Sequence, residues 1–250
     1  MRQNKEPWID TRLTEEEMVF LNDAISEENL KNYSGKLAGN ISKSELIEDK
    51  DNWFFESTLK ELTEKMFYRK ENNYYRYHIE KEEPLPKFEL YNMWVNYQKQ
   101  HEFNPFHDHG GLYSFVVFMK IPTHWKEQHA LPFSANSNSP HASDFQFVKS
   151  EKNSEGCIAT YFHLSPEDEG RMLFFPATLQ HMVYPFYGTE EERVTISGNI
   201  RLCYPNIPKI DPVTNSTYKE RENLLKIMEK QVAVVKDEIK MMKKEREKEE

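Results

Sequence analysis

The chain has 250 residues, which is enough for one domain with a sizeable core and some appended segments. Hydrophobic residues make up 38% and aromatic residues 13%, and the 8 glycines show no period, which excludes collagen-like and low-complexity proteins. The net charge of -9, from 33 basic and 42 acidic side chains, argues against a nucleic-acid partner, because such proteins neutralise phosphates with clustered Lys and Arg.

The compartment is predicted from the two cysteines and from the distribution of apolar residues. Cys157 and Cys203 lie far apart without a CxxC spacing, which is typical of a reducing compartment. The first residues lack the apolar stretch of a signal peptide, and no run approaches the ~18 apolar residues of a membrane-spanning helix. We therefore expect a cytoplasmic protein with no membrane partner.

Residues 1–85 predict a helical region that packs on the domain after it. Thr14 is placed to cap a helix ending near Ser26, because Glu17 three residues later completes a capping box. The apolar spacing predicts a second helix from Asn52 to about Tyr68. The segment 31–44 between the two helices is rich in turn-forming residues.

From about residue 86 the pattern changes to short β-type runs separated by turns. Seven such runs, with no helical pattern between them, favour an antiparallel sandwich or barrel over 86–205. The fold class is therefore mainly β with flanking helices (α+β). The predicted strands are Lys87–Lys99, Leu112–Ile121, Asp144–Lys149, Gly156–His163, Arg171–Phe175, His181–Phe186 and Glu192–Tyr204. The polar segment 134–143 is either a lid over a substrate or a plain solvated insertion.

Two of these strands have one polar and one apolar face. From Arg193 to Asn199 the odd positions are polar, and from Asn92 to Gln98 the even positions are the more polar ones. An ordinary solvent-facing sheet would explain this alternation. Alternatively, the apolar faces lie under the N-terminal helices while the polar faces line the interior of the barrel, which would indicate a site.

The C-terminal segment 206–250 predicts a long amphipathic helix. Its apolar residues are spaced alternately three and four apart over about two and a half heptads. Both packing on the chain's own surface and homodimer formation through this helix remain open. The residues of this seam are Leu225, Met228, Val232, Val235, Ile239 and Met242.

The run His107-Asp108-His109 carries the strongest chemical signal. In an extended backbone, His107 and His109 point to the same side and Asp108 points to the other, so the two imidazoles can share a metal ion. His181, after a Pro-containing turn, is the best candidate for a third ligand. Twelve positions further on, Arg193 shares a polar face with Thr195, and its planar guanidinium suits a carboxylate.

This order of motifs resembles the 2-oxoglutarate/Fe(II) oxygenase superfamily, in particular its small bacterial and phage members. The resemblance covers residues 86–204 and rests on the segments NMWVNYQ, NPFHDHGGLYSFVVF and LFFPATLQHMVYPFYGTEEERVTISGNI. It implies a double-stranded β-helix, with Fe(II), 2-oxoglutarate and O2 as cofactor and cosubstrates. His107 and His181 would hold iron, and Arg193 would bind the distal carboxylate of 2-oxoglutarate. Thr195 or Ser197 would add a hydroxyl, and Asn96 and Asn199 would contact cosubstrate or substrate.

The sequence departs from the family where a carboxylate ligand is usual. His109 stands there, and three arrangements remain open. The metal site consists of His107, His109 and His181; or a distorted backbone turns Asp108 inward; or His109 is the first ligand and Gly111 leaves a position open for an anion. Strand parity favours the first.

The resemblance implies a dioxygenase that couples decarboxylation of 2-oxoglutarate to oxidation, expected to be hydroxylation, of a small molecule or a protein side chain. A cupin-like enzyme with three His ligands that does not use 2-oxoglutarate, and a non-catalytic barrel scaffold, are the alternatives. The sequence does not identify the substrate, since one fold hosts many activities.

Overall fold

Two antiparallel sheets make up most of the computed structural model, which describes residues 6–69, 72, 87–150 and 156–203. All of these residues belong to one compact unit, Met1–Pro205. The described strands are β1 (Ile9–Arg12), β2 (Lys31–Asn32), β3 (Lys43–Ile47), β4 (Lys87–Gln98), β5 (Asn104–His107), β6 (Tyr113–Lys120), β7 (Phe145–Ser150), β8 (Cys157–Phe162), β9 (Arg171–Pro176), β10 (Gln180–Val183) and β11 (Arg193–Cys203). The described α-helices are α1 (Glu15–Ile25), α2 (Lys60–Phe67), α3 (Trp125–His129) and α4 (Pro132–Ala135).

The larger sheet has the order β1-β9-β6-β11-β4-β3-β2, and the smaller sheet has the order β5-β10-β7-β8. Strands β4 to β11 contribute four strands to each sheet, and the pairs that the structure describes are antiparallel. Eight strands divided between two sheets in this way form a jelly roll. The predicted mainly β architecture is therefore confirmed, and each of the seven predicted runs contains a strand.

The expectation of a helical N-terminal region needs a correction. Besides α1 and α2, this region supplies β1, β2 and β3, which extend the larger sheet at both edges. Strand β1 pairs with β9, and β3 pairs with β4, so their backbone hydrogen bonds come from strands distant in the sequence. Two to five residues are too few to show a period of two on their own.

The two predicted helical segments are confirmed. Thr14 accepts a hydrogen bond from the backbone N–H of Glu17, and the Glu17 carboxylate accepts one from the Thr14 N–H, which completes the predicted capping box before α1. The second segment contains a π-helical turn, Phe55–Leu59, directly before α2. The Asp49 carboxylate accepts from the N–H groups of Phe54 and Phe55, which satisfies donors at the start of this segment.

The apolar side chains form two clusters, one on each face of the larger sheet. The first lies between this sheet and the N-terminal helices and contains Leu21, Leu59 and Phe67 together with Val95 and Ile196 of the strands. The second lies between the two sheets and contains aromatic residues of both, among them Phe118, Phe145, Phe147, Phe162 and Phe175. The larger sheet is therefore covered on both faces.

The polar faces of β4 and β11 point into the space between the sheets. Ile196 and Ile200 of β11 pack under the helices, whereas Arg193, Thr195 and Ser197 line a cavity on the opposite face. The alternation in the sequence thus reflects a polar barrel interior rather than a solvent-facing sheet.

None of the described helices is long and apolar enough to cross a membrane. The predicted C-terminal helix and its heptad seam at 206–250 lie outside the described residues.

Candidate metal centre and anion pocket

Three histidines meet in a cavity lined by residues of both sheets. His107 ends β5 and lies directly opposite His181 of β10 in the antiparallel register. His109 follows in the connection to β6, where its backbone N–H donates to the carbonyl of Ala177 at 2.9 Å. One ring nitrogen of each histidine lies within 4.8 Å of those of the other two. The Nε2 atoms of His109 and His181 are 3.1 Å apart.

The Asp108 side chain is exposed, whereas His107 and His109 are partly buried. This agrees with the alternation expected of an extended backbone. The described groups that could hold a metal ion include His107, His109 and His181 but not Asp108. Gly111 has a φ of +106°, and a Cβ there would lie 2.8 Å from the carbonyl oxygen of Ile200, so this position points toward the backbone of β11.

Backbone carbonyls fix the orientation of two of the three rings. Nδ1 of His107 lies 2.6 Å from the carbonyl oxygen of Pro105, and Nδ1 of His181 lies 2.9 Å from that of Leu179. A carbonyl oxygen can only accept, so each Nδ1 carries the proton and donates. The Nε2 lone pairs of both rings remain for a metal, which is the arrangement common among metal-ligating histidines.

Burial keeps the three rings neutral. It lowers the pKa of His109 to about 4, with a smaller effect from the neighbouring His107. Burial also lowers the pKa of His107 and takes the pKa of His181 well below its usual value. Neutral imidazole is the form that binds metal, so the centre needs no deprotonation near pH 7.

Arg193 is a fully buried cation that lines the same cavity. Its Nη2 donates to the carbonyl and hydroxyl oxygens of Ser143, at 3.0 and 2.6 Å. Its Nε and Nη1 are buried without a hydrogen-bond partner, and its guanidinium lies 5.0 Å from the centre of the Phe186 ring. Burial lowers the pKa of Arg193 to about 10, which still leaves it charged at neutral pH. A buried charge with unused donors is costly unless an anion binds it.

The cavity comprises about 510 Å³ of space, part of it open to solvent, and residues of both sheets line it. The three histidines, Arg193, Thr195 and Ser197 all contribute to its wall. Asn96 also lines the cavity, and its side-chain oxygen accepts from the Ser44 hydroxyl at 2.7 Å. The ring of Trp94 lies 5.7 Å from that of His109 and walls the metal side.

Asn199, also predicted from the sequence, is not among the described residues that line the cavity. Its side-chain oxygen accepts from Ser114 at 2.6 Å, and its amide donates to Asn92 at 2.9 Å. Two other arginines are engaged elsewhere: Arg171 pairs with Asp10 and Asp168, and Arg201 pairs with Glu89. Of these three arginines, only Arg193 lines the cavity.

The sequence reasoning missed Ser143, which fixes the guanidinium of Arg193 from the end of the segment 134–143. No sequence signal marks this role, since the segment is a run of small polar residues whose path depends on the tertiary fold. The described lining residues include none from 134–143, so this segment contacts the cavity through Arg193 rather than as part of its wall.

Donor chemistry in this centre fits iron and a dicarboxylate. Imidazole nitrogens suit Fe(II), and an arginine fork with unused donors suits a carboxylate. Fe(II) and 2-oxoglutarate, with O2, are the cofactor and cosubstrates that the resemblance seen in the sequence implies.

Comparison with known proteins gives one family and one fold. Residues 92–199 match the family described as "Putative 2OG-Fe(II) oxygenase". No curated protein sequence matches the chain. A 2OG-Fe(II) oxygenase-family oxidoreductase from Burkholderia pseudomallei is similar in structure, with a TM-score of 0.50 and 8% identity over 78% of this chain and 85% of that one.

Two further structures are similar at lower scores. A prolyl-4-hydroxylase from Pseudomonas putida has a TM-score of 0.47 and 13% identity over 79% of this chain and 94% of that one. The epimerase SnoN from nogalamycin biosynthesis has a TM-score of 0.48 and 14% identity over 80% of this chain and 78% of that one. The family match over residues 92–199 confirms the resemblance to 2OG-Fe(II) oxygenases seen in the sequence.

Proposed function

We propose that this oxygenase binds Fe(II) through His107, His109 and His181, and binds the distal carboxylate of 2-oxoglutarate through Arg193. The observation that carries the proposal is the pair of unpartnered, buried guanidinium nitrogens in the cavity that holds the three neutral imidazoles. When bound, the iron supplies the activation of O2 that couples decarboxylation of 2-oxoglutarate to oxidation of a substrate.

The residues of the chain supply binding, orientation and exclusion of water. Arg193 offers Nε and Nη1 to a carboxylate, while Ser143 holds Nη2 and so fixes the plane of the fork. Thr195, on the same face of β11, is proposed to add a hydroxyl contact, with Ser197 as the neighbouring choice. Asn96 is proposed to contact cosubstrate or substrate because it lines the cavity, whereas Asn199 is not among the described lining residues.

The charge balance supports a three-histidine centre with a dianionic ligand. The three imidazoles are neutral and Arg193 is the cation among the described lining residues, while the nearby Asp144 carboxylate, which is not among them, offsets part of its charge. A dicarboxylate would compensate both the metal and the guanidinium. The aromatic rings of Phe145 and Phe175, 5.7 and 5.0 Å from that of His181, shield this side of the centre from water.

The substrate class, the type of oxidation and the cellular compartment are proposed only in general terms. We expect hydroxylation of a small molecule or a protein side chain. A reducing, cytoplasmic setting is supported by two free cysteines, of which Cys157 is exposed. Homodimer formation through the segment 206–250 stays a prediction.

The test is an anaerobic titration of the full chain with Fe(II) and then 2-oxoglutarate, followed by its visible charge-transfer absorption. We expect the band in the unmodified protein and an increase of about 100-fold or more in the apparent Kd for 2-oxoglutarate in Arg193→Met, equivalent to ~2.7 kcal/mol. Arg201→Met is the matched control, because Arg201 pairs with Glu89 away from the cavity.

Two results would decide against this function. Equal affinity for 2-oxoglutarate in Arg193→Met and Arg201→Met would remove the assigned role of Arg193. Iron binding without any spectral response to 2-oxoglutarate would favour the cupin-like three-histidine enzyme instead. If 2-oxoglutarate does bind, succinate release in the presence of different candidate substrates would identify the substrate class.

A further inference from the structure

A second cluster of histidines surrounds a buried carboxylate outside the iron centre. The Asp144 side chain is 0% exposed, yet three imidazoles reach it. Nε2 of His129 and Nδ1 of His163 lie 3.1 and 3.0 Å from its Oδ1, and Nδ1 of His141 lies 3.1 Å from its Oδ2. None of these four residues is among the described residues that line the oxygenase cavity.

The cluster joins segments that are distant along the chain. His129 ends α3, Asp144 immediately precedes β7, and His163 immediately follows β8. The backbone carbonyl of Asp144 also accepts from the N–H of Tyr184, beyond the end of β10. The carboxylate therefore lies at one end of the smaller sheet, where three connections meet.

Aromatic rings hold the imidazoles in position. Trp125 stacks on His163 with ring centres 4.9 Å apart, and Tyr161 stacks on His141 at 3.7 Å with the planes 1° apart. Because these rings are already held in place, they lose less conformational entropy when a ligand binds to them. This packing gives the cluster a preformed geometry.

We propose that His129, Asp144 and His163 form a second divalent-metal site, of the class that binds Zn²⁺. Their ligand atoms all lie within 4.8 Å of one another. Two imidazoles and one carboxylate are a ligand set that zinc accepts, with a fourth position left for water or another ligand. The exposed fraction of the His163 side chain, 43%, provides access for the ion and for that water.

His141 acts as a positioning residue in this site. Its Nδ1 contacts the carboxylate oxygen that the other two histidines leave free, so it orients Asp144. His129 and His163 would bind the ion as neutral imidazoles, each with its hydrogen on the ring nitrogen that does not face the metal. The hydrogen bonds from His129 and His163 to Asp144 are then replaced by bonds from the metal to these three residues.

The position of the site gives it a structural consequence for the oxygenase. Ser143, which holds the Arg193 guanidinium, is the residue next to Asp144. An ion bound to Asp144 ties α3 and the end of β8 to this point. The second site therefore stabilises the segment that orients Arg193, the residue proposed to bind 2-oxoglutarate. The metal itself would not contact 2-oxoglutarate.

The test measures zinc stoichiometry in full-length protein from which metal has been removed. The variant His107→Gln/His181→Gln disables the iron centre, and we expect it to keep one tightly bound Zn²⁺ per chain when Zn²⁺ is added back and the excess is removed by dialysis. Adding His163→Asn should abolish that zinc, whereas adding His124→Asn should not. His124 is the matched control because it lies in the same region, is not one of the three candidate ligands, and caps α3 by accepting from the N–H of Lys126, a role that Asn also fills.

A second readout covers variants that fold poorly. In otherwise unmodified protein, Zn²⁺ should raise the Tm through the second site, and His163→Asn should reduce this shift by at least half. Equal zinc content and equal Tm shifts in His163→Asn and His124→Asn would overturn the proposal and leave Asp144 as a hydrogen-bond acceptor only. Failure of the 2-oxoglutarate titration would leave this result unaffected, so the two proposals are tested separately.

Discussion

At the residue scale, the proposed iron centre combines neutral ligands with one buried cation. His109 occupies the position where a carboxylate is usual, and burial keeps its ring neutral. The exposed Asp108 leaves the centre without that negative charge. We expect the anionic cosubstrate to contribute more to metal retention here than in a centre that has its own carboxylate.

The depressed pKa of His109 predicts a pH-dependent stability of the metal-free protein. Its folded-state pKa of about 4 lies below the unfolded value of 6.5, so the unfolded state binds the proton first as the pH falls. The stability associated with the neutral ring is present above pH ~6.5 and is lost towards pH ~4, at about 1.4 kcal/mol per pKa unit or roughly 3 kcal/mol in all. Urea unfolding of the metal-free protein across this range measures the loss.

His109→Gln isolates this contribution from the carboxylates that titrate nearby. The variant should lose less unfolding free energy between neutral pH and pH ~4.5, by about 2–3 kcal/mol. Identical pH profiles for the variant and the unmodified chain would contradict the depressed pKa. His107 and His181 shift in the same direction and should preserve part of the slope in the variant.

At the element scale, the connection between β5 and β6 places His109. Gly111 has a φ of +106°, and a Cβ there would lie 2.8 Å from the Ile200 carbonyl oxygen. Gly111→Ala should therefore lower the unfolding free energy by about 1–3 kcal/mol and weaken Fe(II) binding, because the strained backbone lies two residues after His109. Thermal unfolding and an anaerobic Fe(II) titration measure the two effects.

Gly110→Ala is the matched control for this prediction. A Cβ at Gly110 meets nothing within 4 Å, and no positive φ requires glycine there. We expect this neighbour to change neither stability nor iron affinity measurably. If both alanine variants behaved alike, the conformation of Gly111 would not be what positions His109.

The sequence predicted strands where the alternation of side chains was long enough to read. The eleven residues of β11 showed both faces, which led to Arg193 and Thr195. Strand β5, Asn104–His107, was missed because it has four residues and includes Pro105, so no period is visible. Strand β1 also has four residues, and it pairs with β9, which is far away in the sequence.

Some features of the candidate site could not be predicted from local pattern. His107 and His181 are 74 positions apart, and their ordered motif within a β domain still suggested that they meet. Ser143 and the cluster around Asp144 have no such motif, because their residues come from connections whose paths are set by the packing of the smaller sheet. Spacing in the sequence carries no information about such contacts.

At the scale of the whole molecule, the larger sheet lies between the apolar cluster under the helices and the cavity with the candidate site. Its outer face packs against the N-terminal helices through the first apolar cluster. Its inner face carries the polar side chains of the cavity. Substitutions under the helices should therefore change the free energy of unfolding with little effect on ligand binding, as long as the protein is folded.

Helix α1 offers a matched pair to test this separation. Leu21 is fully buried in the first apolar cluster, whereas Val19 of the same helix is 55% exposed. Leu21→Ala should lower the unfolding free energy by about 2–5 kcal/mol through lost burial and the cavity left behind. Val19→Ala should change it by no more than ~0.5 kcal/mol. Urea unfolding measures both.

The same two variants should bind 2-oxoglutarate with Kd values within about twofold of that of the unmodified chain, a difference in binding free energy below ~0.5 kcal/mol. The reason is that Leu21 lies across the sheet from Arg193, and neither Leu21 nor Val19 is among the described residues that line the cavity. The measurement is made without urea and at a low temperature at which each variant is folded. A tenfold loss of affinity in folded Leu21→Ala would show that the helices and the cavity are energetically coupled through the sheet.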